Sequence, residues 1–371
     1  MCSDSILPTD RLNRKGGKEM QKPSHKGPAR LILGYAAIAF SLPYLALKIA
    51  WISGAPVGML DKSMVAEPRM LALNILSFCM DVVAVLLALT FTHGWGLRAP
   101  ARPTLFPMWV GTGFLAPIAV AWPIIVLAVM LGLGSGQRAS SAPTLLEPWV
   151  PKMVYTLFVG QWLTLMTAFI LYARARWGAL LRAQIGEDQT PRPVIALLGN
   201  AASVVAAAAG SLHLLWAGGA PLGLPPLLLQ IRDVNFYMLH ATFGLAALGA
   251  AAGIVLLVNR RGRWPLWVPL SLAWTGSGAM FSWGSWLLLA VVSPISRGFT
   301  SWLLTANNVI KSGAGLLIGA LIGSLVAAQA RSGFSEVARP QDSQVMQLMP
   351  GDDVSDGAHA ESVVARDTEP Q

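Results

Sequence analysis

The sequence predicts an all-α membrane protein of eight transmembrane helices, arranged as two tandem four-helix repeats related by a pseudo-two-fold axis along the membrane normal. Three observations point there. The 371 residues are 54% hydrophobic and only 12% charged, with a mean hydropathy of +0.56, whereas a soluble domain averages about 25% charged residues. Eight apolar runs are each long enough to span a bilayer. A tryptophan-glycine-proline motif occurs twice, 165 residues apart.

Crossing the hydrocarbon takes about 20 apolar residues in a helix, because lipid offers no partner to unpaired backbone groups. The runs are 31–52, 70–92, 106–132, 150–175, 193–216, 236–258, 265–291 and 302–328. The first exceeds the apolar core of a signal peptide, about 7–15 residues. Flanking charge sets the direction. Of the 27 Lys and Arg, 19 fall in segments that are inner if the N-terminus is inside. Six fall in outer ones: Lys62, Arg69, Arg138, Lys152, Arg232 and Arg297. Lys48 and Lys311 lie inside spans. This asymmetry places both termini in the cytoplasm. Trp51, Trp149, Trp216 and Trp302 fall at outer ends and Trp95, Trp109, Trp177, Trp264 and Trp267 at inner ends, as headgroup-level rings would.

The duplication reads as LKIAWISGAPVG (47–58) against LHLLWAGGAPLG (212–223), with Trp51, Gly54, Ala55, Pro56 and Gly58 recurring as Trp216, Gly219, Ala220, Pro221 and Gly223. The same offset pairs Trp109 with Trp274, Gly111 with Gly276, Gly113 with Gly278 and Thr112 with Ser277. The predicted organisation is a basic cytoplasmic tail (1–30), a first repeat (31–178), a cytoplasmic linker (179–192), a second repeat (193–330) and an acidic cytoplasmic tail (331–371). Both tails are expected to be disordered, being polar and low in apolar residues. The apolar segment 217–235 is expected to lie in the outer interface.

Polar groups within the spans are the candidate site, because lipid makes them costly. Asp81 falls near mid-membrane in the second run, and Lys311 enters the eighth to a similar depth. The two are expected to pair, or to share a polar cavity with Asn74, Asn307 and Asn308. Lys48 aligns with His213, each three residues before its tryptophan. Lys48 can snorkel to water from there; alternatively, both groups face an outward cavity. His213 and His240 sit at similar depth on adjacent helices and are weak candidates for a metal or haem, with no further ligand spacing beside them. No cofactor is implied. Cys2 and Cys79 lie at different depths, which disfavours a disulfide. Gly315, Gly319 and Gly323, and Gly249 and Gly253, offer small faces for helix contact. Pro43, Pro117 and Pro123 predict kinks.

Several classes lack their motif: GxxxxGK[ST], a convincing GxGxxG, HExxH and GxSxG are absent. The one serine considered as a nucleophile, Ser277, has no such context. The pI of 9.9 follows from topology, so no nucleic-acid partner is implied. The partner implied is the lipid bilayer, with an unknown small solute or ion; the oligomer is left open.

SLPYLALKIAW, GAPVG and the tryptophan-rich spans together resemble the polytopic integral membrane proteins common in actinobacteria. The resemblance implies a plasma-membrane location and brings no activity. The leading functional expectation is a transporter or permease-like protein with a polar site between two four-helix halves. The rivals are a non-transporting scaffold or membrane subunit of a complex, and a haem- or metal-binding membrane protein.

Overall fold

A computed structural model describes residues 28–132, 146–184, 193–260, 264–291 and 298–337, with side chains to residue 328. The expectation of disorder in the tails falls almost entirely outside these residues, as does Cys2. The described chain is helical: α1 (Pro28–Ile52), α2 (Pro68–Thr92), α3 (Ala101–Met130), α4 (Trp149–Arg182), α5 (Pro193–Ala217), a five-residue α6 (Pro226–Gln230), α7 (Val234–Val258), α8 (Trp267–Val291) and α9 (Trp302–Val337). Short 3-10 turns, Lys62–Ala66 and Gly94–Arg98, flank α2.

Seven of these helices are long and apolar enough to cross a membrane: α1 to α5, α7 and α9. The remaining long helix, α8, matches α1, α2, α5 and α7 at 25 residues, but carries four Trp, four Ser and three Gly. Its small residues meet protein rather than lipid. A Cβ on Gly276 would come within 2.1 Å of Ala246 O on α7, and one on Gly284 within 2.2 Å of Ser312 Oγ on α9. A helix enclosed by other helices gains little from being apolar all round, so its hydropathy falls.

The helix ends follow from capping. Glu67 accepts from Met70 N (2.7 Å) at the start of α2, and Asp233 from Phe236 N (2.9 Å) at the start of α7. α1 closes in a Schellman turn: Gly54 takes φ +88°, Ala55 N donates to Ala50 O (2.8 Å) and Gly54 N to Trp51 O (3.2 Å). α5 closes the same way: Gly219 takes φ +91°, Ala220 N donates to Leu215 O (2.9 Å) and Gly219 N to Trp216 O (3.0 Å). In both turns the tryptophan indole donates across the turn, Trp51 to Val57 O (2.7 Å) and Trp216 to Leu222 O (2.8 Å). These two tryptophans are therefore buried, not headgroup anchors. Trp109 is buried too, while Trp95, Trp149, Trp264, Trp267 and Trp302 are exposed.

Other contacts recur along the chain. A Cβ on Gly34 would strike Thr92 of α2, and one on Gly199 would strike Val258 of α7. Tyr35 sets its ring edge-on to His93, and Asn200 hydrogen-bonds Asn259. Gly58 leaves room for Val150 of α4, as Gly223 does for Leu303 of α9.

α3 and α8 meet backbone to backbone. A Cβ on Gly113 would lie 2.2 Å from Gly278 C, and one on Gly278 would lie 2.7 Å from Trp109 O. Trp109 Nε1 donates to Ser277 Oγ (3.0 Å), Ser282 Oγ to Val110 O (3.0 Å) and Trp283 Nε1 to Phe114 O (3.1 Å). Ser277 is thus a buried packing residue. Gly315 and Gly319 serve the same core, against Ser277 and Trp109, and Gly253 packs on Pro269 and Ala273. Gly323 has nothing within 4 Å.

α1 and α3 run unbroken through Pro43 and through Pro107, Pro117 and Pro123. A kink falls in α4 at Trp177 (φ −129°, ψ 22°), where the Arg176 guanidinium lies over the Trp177 ring and bonds the Tyr172 hydroxyl. The segment 217–235 is not a bare loop: it holds the Gly219 turn and α6, and Arg232 donates to Gly219 O (2.7 Å).

Gly113→Ala tests the α3–α8 contact. Overpacking of this kind costs about 1–3 kcal/mol. We expect a melting temperature several degrees below that of Gly111→Ala, a position with nothing within 4 Å, when both are followed by circular dichroism in detergent.

Candidate functional site

The polar groups of the spans gather in two clusters. The first lies among α1, α2 and α4. Lys48 is 7% exposed and does not snorkel. Its Nζ donates to Asn74 Oδ1 (2.8 Å) and lies over the rings of Tyr44 (4.9 Å) and Trp51 (4.8 Å). One turn along α1, Tyr44 sets its hydroxyl beside Ser77 of α2. A further turn in, Gln161 of α4 donates to Ser41 Oγ (2.8 Å) and to Asp81 Oδ1 (2.9 Å). Asn74 and Asp81 are seven residues apart, about 10 Å of helix. The result is a buried polar ladder of three rungs, Lys48–Asn74, Tyr44–Ser77 and Ser41–Gln161–Asp81, with a cation at one end and a carboxyl at the other. Asp81 Oδ2 is buried without a hydrogen-bond partner.

The second cluster lies among α5, α7, α8 and α9. His213 and His240 face one another with Nδ1 atoms 2.8 Å apart and ring centroids 5.0 Å apart. Asn307 Nδ2 (3.2 Å) and Lys311 Nζ (3.4 Å) both reach His213 Nε2. Lys311, 3% exposed, also lies over the Phe243 ring. Beside this cluster is a cavity of about 190 Å³. His213, His240, Asn307 and Asn308 form its polar wall, and Phe236, Phe243, Trp283 and three leucines form the rest.

Asp81 and Lys311 do not pair. Asp81 is bonded to Gln161 and Lys311 to His213, in different clusters. Asn74 joins the first, Asn307 and Asn308 the second. Depth along each helix was legible; the direction each side chain faces was not. Nor does a polar site lie where α1–α4 meet α5–α9 at Gly113 and Gly278, since backbone fills that contact. His213 and His240 are neighbours, and among the described residues no group of three or more His, Cys, Asp or Glu gathers to hold a metal.

Sequence position alone did not single out Gln161, Ser41, Tyr44 or Ser77. Gln161 carried a usable signal, an amide in the middle of an apolar run (TLFVGQWLTL).

The helices around the second cluster bury Ala206 of α5, Ala247 of α7 and Ala314 of α9. Phe158 of α4 packs edge-on against Tyr44 of the first cluster.

Neither protein-family models, curated proteins nor solved structures match the chain. Function is therefore argued from the geometry of the two clusters alone.

Removing the amide of Gln161 leaves buried acceptors without a donor. Gln161→Ala should destabilise the protein by about 1–3 kcal/mol. The triple change Ser41→Ala, Asp81→Ala and Gln161→Ala should cost less than the sum of the three single changes, measured by denaturant unfolding in detergent.

Proposed function

We propose that the protein is a proton-coupled transporter of the plasma membrane. The proposed architecture has eight spans, α8 included, in two like-oriented four-helix halves that arose by tandem duplication, with both termini cytoplasmic. The matched turns, caps and glycine contacts, offset by 165 or 166 residues in α1, α2 and α3 and by 153 in α4, support the duplication. The meeting of Gly113 with its own counterpart Gly278 supports a pseudo-two-fold axis between α3 and α8, since a two-fold contact brings equivalent residues together. The 19-to-6 charge asymmetry supports the orientation.

The observation that carries the transport reading is the buried ladder from Lys48 to Asp81. Ionisable groups inside a span are costly unless the protein uses them. Here a carboxyl with one bonded and one unbonded oxygen stands at the deep end of a column of buried hydroxyl and amide side chains. Gln161 holds Oδ1 in place, and Oδ2 is left to take up and release the proton.

Reconstitution tests it. Vesicles holding the protein and an internal pH dye should acidify at least tenfold faster than empty vesicles under an imposed pH gradient and membrane potential. Asp81→Asn should return the rate to that of empty vesicles, and Ser53→Ala, at an exposed turn, should leave it unchanged. Wild-type flux no greater than that of empty vesicles would reject transport in favour of a scaffold or a subunit of a complex.

Orientation is tested separately. In a Cys2→Ser, Cys79→Ser background, Leu222→Cys should react with an impermeant maleimide on intact cells, and Trp95→Cys only after lysis. The reverse pattern would overturn the cytoplasmic assignment of both termini.

A further inference from the structure

We propose that the 190 Å³ cavity beside His213 and His240 is a binding site for a small monocarboxylate with an apolar tail. The argument starts from proton positions. A lysine ammonium has only donors, and Lys311 points at His213 Nε2, as does the amide of Asn307. The His213 proton is therefore on Nδ1, directed at His240 Nδ1. His240 in turn carries its proton on Nε2, an atom with no protein partner among the described residues. The relay leaves a donor, polarised by the Lys311 charge, at the cavity wall.

Asn308 supplies a second donor. It is 6% exposed, lines the cavity, and its side-chain amide has no hydrogen-bond partner among the described residues. Because Asn308 lines the cavity, its amide is placed to bond a solute there. No carboxylate lines this cavity. Asp233, the acid on α7 nearest in sequence, lies seven residues before His240 and is engaged in capping Phe236 N and bonding Asn235. Lys311 itself has no ion pair among the described residues. A buried cation without a counter-ion calls for an anion.

The remaining lining selects the tail. Phe236, Phe243, Trp283 and the leucines offer a carbon wall opposite the donors. The volume equals about six water volumes, room for a carboxylate and a short chain or one ring. The carboxylate would accept from His240 Nε2 and Asn308 Nδ2, with the Lys311 charge behind His213. The cavity lies beside one of the two clusters, so one such site is expected per chain. The site stands on this geometry whether or not the protein transports; if it does, the site names the solute class.

Equilibrium dialysis of the full-length protein in detergent, with radiolabelled benzoate as probe, tests this. Saturable binding of one benzoate per chain is expected. Excess unlabelled benzoate should displace it, and the neutral and cationic analogues benzyl alcohol and benzylamine should not. Lys311→Met and Asn308→Leu should each weaken binding at least tenfold, and Asp81→Asn should leave it unchanged. If Lys311→Met fails to fold by circular dichroism, Asn308→Leu and His240→Gln decide the matter. No saturable binding, displacement by benzylamine, or wild-type affinity in the folded variants would overturn the proposal. Binding by a protein that moves no protons in vesicles would sink the transport reading and leave this site standing; proton flux without binding would do the reverse.

Discussion

Hydrocarbon offers no hydrogen bonds, so each polar group in a span must find its partner within the protein. That constraint accounts for most of the structure. Lys48 is held by Asn74, Asp81 by Gln161 and Lys311 by His213. It accounts for the helix ends as well. The last carbonyls of α1 and α5 are closed by glycine turns, and an indole N–H reaches across each turn to a carbonyl that would otherwise face the membrane surface. It also explains the glycines between α3 and α8. Lipid drives helices together weakly, so close backbone approach and its dispersion energy must do that work.

The recurring contacts and the differing ones fall at separate levels. Positions that fix backbone geometry keep their character: Gly54 and Gly219, Gly34 and Gly199, Glu67 and Asp233. Positions that fill the interior do not. The helices of the first cluster carry Ser41, Asp81, Gln161 and Phe158, and those of the second bury Ala206, Ala247 and Ala314 and carry Lys311. α1, α2 and α4 therefore hold a polar ladder, and α5, α7, α8 and α9 a basic cluster beside a cavity. Backbone geometry tolerates few substitutes, because a Cβ at 2 Å from a neighbouring atom cannot be absorbed. An interior layer can change all at once, provided its members change together.

Much of the frame was legible because hydropathy, turn chemistry and charge report on the solvent around a segment. The long helices start and stop within a few residues of the apolar runs, apart from α4 and α9, whose helices continue past the apolar run. Hydropathy fell short at α8, where neighbouring helices take the place of lipid. α1 and α3 continue as helices through their prolines, and the break at Trp177 was not singled out although Tyr172 and Arg176, which bond beside it, lie one helical turn apart on the same helix. Trp51 and Trp216 sit at the right depth for interfacial anchors and point inward instead. The site shows the same limit. Sequence position gives depth at 1.5 Å per residue, which was enough to find Asp81, Lys48, Lys311 and both histidines. It does not give azimuth between helices, so Asp81 was matched to Lys311 and not to Gln161.

The location of the clusters bears on how such a protein would move a solute. In a transporter whose site lies between two halves, rocking one half against the other exposes the site to each side in turn. Here the line between the halves is occupied by Gly113 on Gly278 and by Trp109, whose ring stacks on Phe281 and whose N–H bonds Ser277. Sliding this contact would drive backbone into backbone. Movement is cheaper within a half, where α1, α2 and α4 are joined across their interior by side chains that exchange hydrogen-bond partners without disturbing the backbone. A proton added to Asp81 alters the acceptor that Gln161 grips, and Gln161 is also the link to Ser41 on α1. Local rearrangement at that rung, with the α3–α8 contact as its fixed wall, is the motion this packing permits at least cost.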